Sequence, residues 1–282
     1  MDGTFKSSPS IFTQIYTLHI ELQSQFFPVL MALLPDKQEH TYRRFIRIMC
    51  NEAVNAQLHL QPQVVHCDYE MAVFNAVQLE WGVQATGCLF HFDRNIYRYI
   101  HAIGLQVNYN TDNPPGVRKW LRRIMALPLV PPLRLPGVYQ EIIQQAPPIP
   151  EVPIMHQYVD QTYMSQNGPL FSAAHWNVFG TINRTTNMCE GFHRALNEAV
   201  SVRHPSIYRL IEVFQQIEAT NERNIAQLTM GAAPKRKRAK YVVVNETIQR
   251  LVNDTFGRGI PTMQRVLTYV DAVAYQQWDI KH

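Results

Sequence analysis

The sequence predicts a mixed α/β protein, and three stretches carry that expectation. From Ile15 to Leu22 the residues alternate, with Tyr16, Leu18, Ile20 and Leu22 on one face and Thr17, His19 and Glu21 on the other, the period of a strand. Val64-Val65-His66-Cys67 is short and β-branched, and it passes within a few residues into Ala72, Val73, Ala76, Val77 and Leu79 at helical spacing. Longer helical stripes flank this stretch on both sides. Strands in a meander followed by alternating helix and strand make a layered α/β domain.

Ser7-Ser8-Pro9 marks a turn after the opening Asp2-Gly3-Thr4-Phe5-Lys6. Beyond the alternating strand, Gln23-Ser24-Gln25 turns the chain into Phe26 to Leu34, a continuous apolar run expected to be a strand buried on both faces. Pro28 cannot donate to a ladder, so that end is expected at an edge or a bulge. Pro35-Asp36-Lys37 stops it. A helix is expected from His40 to Leu58, with Tyr42, Phe45, Ile46, Met49 and Ala53 on one stripe and Arg43, Arg44 and Arg47 opposite. The next strand ends at Cys67, its helix at Trp81 before Gly82, and Val83 to Thr86 is read as a further short strand. After Gly87 a long helix buries Phe92, Ile96, Tyr99 and Ile103.

From Asn108 to His175 prolines interrupt the chain at high density, so short helical pieces such as Val117–Leu127 and Val138–Gln145 are expected and no strand. Helices resume from Met188 to Val200 and from Pro205 past Ile225. A mixed segment with a basic run follows Gly231. The organisation is therefore 1–107, a Pro-rich insertion at 108–175, a return at 176–230, and a tail at 231–282. There is no internal repeat.

Of 282 residues, 46% are hydrophobic and 17% charged, which excludes a disordered chain. The net charge of +4 permits an acidic partner without demanding one. Four scattered cysteines (Cys50, Cys67, Cys88, Cys189) are expected as reduced thiols of a soluble intracellular protein. No signal peptide is read at Met1, and the longest apolar run is too short to span a bilayer, so no membrane partner is expected.

Three acids are candidates for one site: Asp2 in the opening strand, Asp68 where a strand meets a helix, and Glu190 in a helix after the insertion. Asp68 and Glu190 also have plain structural readings, an N-cap and a solvated helix face respectively. Carboxylates without Cys or His suit hard divalent cations, and two such ions can serve phosphodiester displacement. Cys88-x-x-His91 is half of a zinc site without a second pair at metal spacing, so zinc is not expected. Arg184, Asn187 and His193 flank Glu190 and could contact a phosphate, hold the glutamate, or be surface polar residues. The run Lys235, Arg236, Lys237, Arg238 and Lys240 reads as a nuclear localisation signal, a DNA-backbone patch or a solvated face.

Four stretches together resemble the Mutator-like element (MULE) transposase domain, over roughly Asp2 to Gln227. They are Asp2-Gly3-Thr4-Phe5-Lys6 with Pro9, Phe12, Gln14 and Tyr16; Phe27-Pro28-Val29 to Leu33-Leu34-Pro35; Cys67-Asp68-Tyr69-Glu70 leading to Gly87-Cys88-Leu89-Phe90-His91; and Trp176-Asn177-Val178 with Arg184 through His193, continuing to His204-Pro205. The resemblance implies a ribonuclease-H-like mixed sheet flanked by helices, with a mainly helical insertion between the second and third acids. On this reading 1–107 and 176–230 are two parts of one catalytic core.

The resemblance further implies a DDE site of Asp2, Asp68 and Glu190 holding two Mg²⁺ (or Mn²⁺) ions for DNA strand cleavage and strand transfer. Transposon-end DNA, a homodimer and a nuclear location belong to the same expectation. So does a structural or substrate-orienting role for Cys88 and His91. Only Met1 precedes Asp2, so the first strand is expected to be largely truncated, with Asp2 on a fraying end. The upstream zinc-finger-type module common in the family is not seen. The alternative is therefore a truncated or domesticated DNA- or protein-binding module without turnover.

Overall fold

The computed structural model describes residues 1–181, 187–234 and 239–281. The chain is mixed α/β, with small sheets and mostly helix. It divides into two compact units. One holds Met1–Cys88 and Thr185–Arg236, the other Leu89–Arg184 and Lys237–His282.

In the first unit, β1 (Asp2–Thr4), β2 (Gln14–Leu22) and β3 (Gln25–Leu34) form an antiparallel meander in that order. Asp2 lies opposite Thr17 and Gly3 opposite Tyr16. The β2–β3 register slips between Leu18 and His19, where His19 faces Pro28, so the proline does sit at a bulge of an edge strand. Burial on both faces of β3 does not hold: Phe27 and Leu34 are buried, but Val29 is 45% exposed. An edge strand beside a single neighbour has too little covering structure to use every apolar residue. A parallel pair, β4 (His66–Cys67) with β5 (Thr86–Gly87), completes the strands of this unit among the described residues. It is shorter than the apolar run predicts, and Val64 is exposed.

Helices α1 (Glu39–Asn55) and α2 (Met71–Trp81) pack on each other, with Tyr42, Phe45, Ile46 and Met49 buried. Two arginines of the basic stripe of α1 are paired, while Arg44 stays exposed. Arg43 Nε and Arg47 Nε donate to the two oxygens of Glu80 on α2, at 2.6 and 2.7 Å. The chain returns to this unit with α9 (Asn187–Val200) and α10 (Ile207–Thr229), the helices numbered between belonging to the second unit. Ser206 caps α10 through its hydroxyl. Leu196, Val200, Leu210 and Val213 bury themselves around Ile15 of β2, fastening both helices to the sheet.

The second unit is helical: α3 (Leu89–Ala102), α4 (Gln106–Thr111), α5 (Val117–Met125), α6 (Leu135–Gln144), α7 (Val152–Val159) and α8 (Ala173–Trp176), then α11 (Ala239–Phe256) and α12 (Met263–Lys281). The prolines fall at helix starts, as at α6 and α7, where the missing N–H costs nothing. Trp176 is fully buried, stacks on Phe92 and donates its indole N–H to the Phe171 carbonyl. The segment after residue 239 forms two regular helices, and α12 packs on α5 and α6. Its anchor is Asp271, which accepts two bonds from the Arg123 guanidinium at 2.5 and 2.9 Å and meets Lys119 at 3.1 Å. No described helix is long and apolar enough to cross a membrane.

Candidate active site

Asp2 is only 5% exposed, so it is not on a fraying end. Strand β1 is short, yet it pairs with β2, and the Met1 amino group donates to the His66 carbonyl at 2.6 Å, which ties β1 to β4. The Gly3 N–H donates to Asp2 Oδ1 at 2.8 Å. A side chain at Gly3 would collide with Gln14, so the glycine permits this close pairing.

Asp68 follows β4. It does not cap α2: the N-cap position is Glu70, and Asp68 Oδ1 instead accepts the Tyr69 N–H at 2.7 Å. The turn is held by Glu70. Its carboxylate accepts the Tyr42 hydroxyl at 2.6 Å and Lys37 Nζ at 2.5 Å, while Gln14 donates to the Tyr42 oxygen at 2.8 Å. Burial, then the Glu70 hydrogen bond, pushes the Tyr42 hydroxyl well above the usual phenol range. Its proton therefore stays on the tyrosine as a donor. Glu70 is thus committed to structure, two residues from Asp68.

A carboxylate oxygen of Asp2 and one of Asp68 lie within 4.8 Å of each other. Two unit charges at that separation repel by about 3–4 kcal/mol at an effective dielectric of about 20, so the pair favours a bound cation. The two aspartates offer carboxylate oxygens, donors that hard cations take. Nearby thiols stay protonated: burial pushes Cys67 up to about 12 and Cys189 up to about 11, and the Asp2 carboxylate adds to both.

His193, on α9, reaches the same place. It is 9% exposed, with Nδ1 3.6 Å from Asp2 Oδ2 and Nε2 3.2 Å from Thr17 Oγ1. His19 Nε2 lies 3.1 Å from that oxygen on its other side. Asp, His and a hydroxyl in line resemble a hydrolase triad, but Thr17 is 0% exposed and no substrate can reach it. From the sequence, His193 is expected to contact a phosphate, hold Glu190 or be a surface polar residue. The structure sets it against Asp2.

Glu190 occupies the first turn of α9, half-buried, next to Cys189, whose thiol feels both Asp2 and Glu190. Among the described residues it does not join the two aspartates in one 4.8 Å grouping. Cys88 is buried at the end of the first unit, and His91 is buried in the first turn of α3, in the second. Arg184, the side chain of Asn187, and Lys235, Arg236, Lys237, Arg238 and the side chain of Lys240 lie outside the described residues. Sequence reasoning missed Thr17, His19, Tyr42 and Glu70. The signal for the first two was present, since they share the polar face of a strand whose other face is apolar.

Residues 1–95 match the family model of the MULE transposase domain. The N-terminal third of the chain is thus similar to a MULE transposase domain. Asp2, Thr17, Asp68, Cys88 and His91 fall inside the matched stretch, whereas Glu190 and His193 of α9 lie beyond it. A match to a transposase family model suggests DNA as the partner. No curated protein and no solved structure matches the chain.

Proposed function

We propose that this chain is a DDE-type transposase domain that cleaves and rejoins DNA strands with divalent cations. The observation that carries the reading is the close pairing of Asp2 and Asp68 within a matched MULE transposase domain. An antiparallel β1–β2–β3 meander and a parallel β4–β5 pair, tied by the Met1–His66 bond, support a ribonuclease-H-like core.

Asp2 and Asp68 would hold Mg²⁺ or Mn²⁺, with Glu190 as the third carboxylate brought by α9. Bound ions of this kind activate an attacking oxygen and neutralise charge on the phosphate. The chain's own part is positional. Gly3 fixes one oxygen of Asp2, Tyr69 fixes one of Asp68, and the Glu70 clamp holds the turn between β4 and α2. Buried surroundings strengthen these contacts and limit the motion of the carboxylates. The basic run 235–240 supports DNA ends as partner and a nuclear location by its composition. A homodimer on paired DNA ends belongs to the same reading.

The test is nicking of labelled DNA by the full chain with Mg²⁺ or Mn²⁺, beside Asp68→Asn and Glu190→Gln. Metal-dependent cleavage that both substitutions abolish is the expected result. Retained DNA binding with no cleavage under any metal would instead make this a binding module.

A further inference from the structure

We propose that His193 is a positioning residue for Asp2, orienting its carboxylate through a relay anchored on Thr17; this rests on the metal-binding reading of Asp2 and Asp68. Hydrogen accounting leads there. The Thr17 hydroxyl has one hydrogen and three polar neighbours: the Asp2 carbonyl at 3.1 Å, His193 Nε2 at 3.2 Å and His19 Nε2 at 3.1 Å. Burial, with the Met1 amino group and His193 adding, lowers His19 to about 3, so its ring is neutral. A neutral His19 can carry its hydrogen on Nε2 and donate to Thr17.

Two arrangements of the hydroxyl hydrogen then remain. If it points to the Asp2 carbonyl, His193 Nε2 must donate to Thr17. A ring carrying its only hydrogen on Nε2 would then turn a bare Nδ1 to the Asp2 carboxylate at 3.6 Å, two acceptors in opposition, so Nδ1 must carry a hydrogen in this arrangement too. If it points to Nε2, the His193 hydrogen sits on Nδ1 and faces Asp2 Oδ2. Donation then runs one way, from His19 through Thr17 and His193 to Asp2, and every link is attractive. Gly3 N–H already holds Oδ1, so both oxygens of Asp2 are steered by the protein. Such partners behind a metal ligand set its orientation, and removing one typically costs about 10–100-fold in metal affinity. Phe192, on the same helix, packs edge-on against His19 at 5.0 Å and keeps that ring in place.

Mn²⁺ uptake by the full chain, read by electron paramagnetic resonance, tests this with His193→Asn, His193→Gln and Asp68→Asn. Asn places its amide nitrogen near the position of Nδ1, whereas Gln places it near Nε2. His193→Gln should lose about 10–100-fold in Mn²⁺ affinity and His193→Asn about threefold or less. A purely structural histidine would favour Gln, which keeps the Thr17 contact. Equal affinity of His193→Gln and wild type, with Asp68→Asn impaired, overturns the positioning role alone. Affinity insensitive to Asp68→Asn overturns the metal site itself. Nitrogen-15 spectra of histidine-labelled wild type give a metal-free readout: Nδ1–H on His193 is expected, and a ring with its hydrogen on Nε2 alone overturns the relay even where a variant fails to fold.

Discussion

Replacing Glu70 tests whether the turn carrying Asp68 is held from behind. The Tyr42 hydroxyl donates to an ionised carboxylate at 2.6 Å, and Tyr42 is 1% exposed. A buried hydrogen bond to a charged group contributes about 1.5–3 kcal/mol. The Lys37 pair adds less, since that lysine is 40% exposed, and exposed pairs are worth about 0–1 kcal/mol. Glu70→Ala should therefore destabilise the region by about 2–4 kcal/mol. Glu70→Gln, which keeps an acceptor but no charge, should cost about 1–2 kcal/mol. Hydrogen exchange of peptides spanning 66–81 reads this locally, which matters in a chain of two units. A double-mutant cycle with Tyr42→Phe isolates the pair. Coupling below about 0.5 kcal/mol, the usual limit of additivity, would refute the clamp. Glu70→Ala keeps the backbone bond from the Glu70 N–H to the Asp68 carbonyl at 2.8 Å, so a loss of Mn²⁺ uptake in this variant would report on the side-chain clamp alone.

Three further outcomes follow from other contacts. Burial opposes ionisation of Asp271, but the Arg123 and Lys119 bonds outweigh it and hold its pKa below 3.8. Its contribution is thus complete above about pH 4 and lost as pH falls through the lower folded value, and acid unfolding of Asp271→Asn should lack that segment. Gly87→Ala would press a methyl to 2.5 Å from the Tyr69 ring, and urea unfolding should show a loss of about 1–3 kcal/mol. Tyr16→Phe should be neutral or stabilising by about 1 kcal/mol in the same assay, because the buried Tyr16 hydroxyl has no partner among the described residues.

Elements with strong periodicity were legible in the sequence. The alternation of Ile15–Leu22 became β2, and the stripe of Tyr42, Phe45, Ile46 and Met49 became the buried face of α1. Val64 and Val29 were misread because a β-branched or apolar run states a preference for cover, not whether cover is present. Asp68 looked like a helix cap because Asp is favoured there. The chain kept two more residues extended, which moved the cap to Glu70 and released the carboxylate.

What the sequence determined alone was local: which stretches are strands or helices, where prolines break them, and which acids sit at strand ends. It also held the motif order that resembles a MULE transposase domain. Tertiary structure decided the pairings. Thr17 and His193 are 176 residues apart, and no periodicity links a β2 hydroxyl to an α9 imidazole. Their meeting depends on α9 packing through Leu196 and Val200 onto Ile15 of β2. Hydrophobic burial is non-directional, so only the assembled core selects which polar groups it traps together.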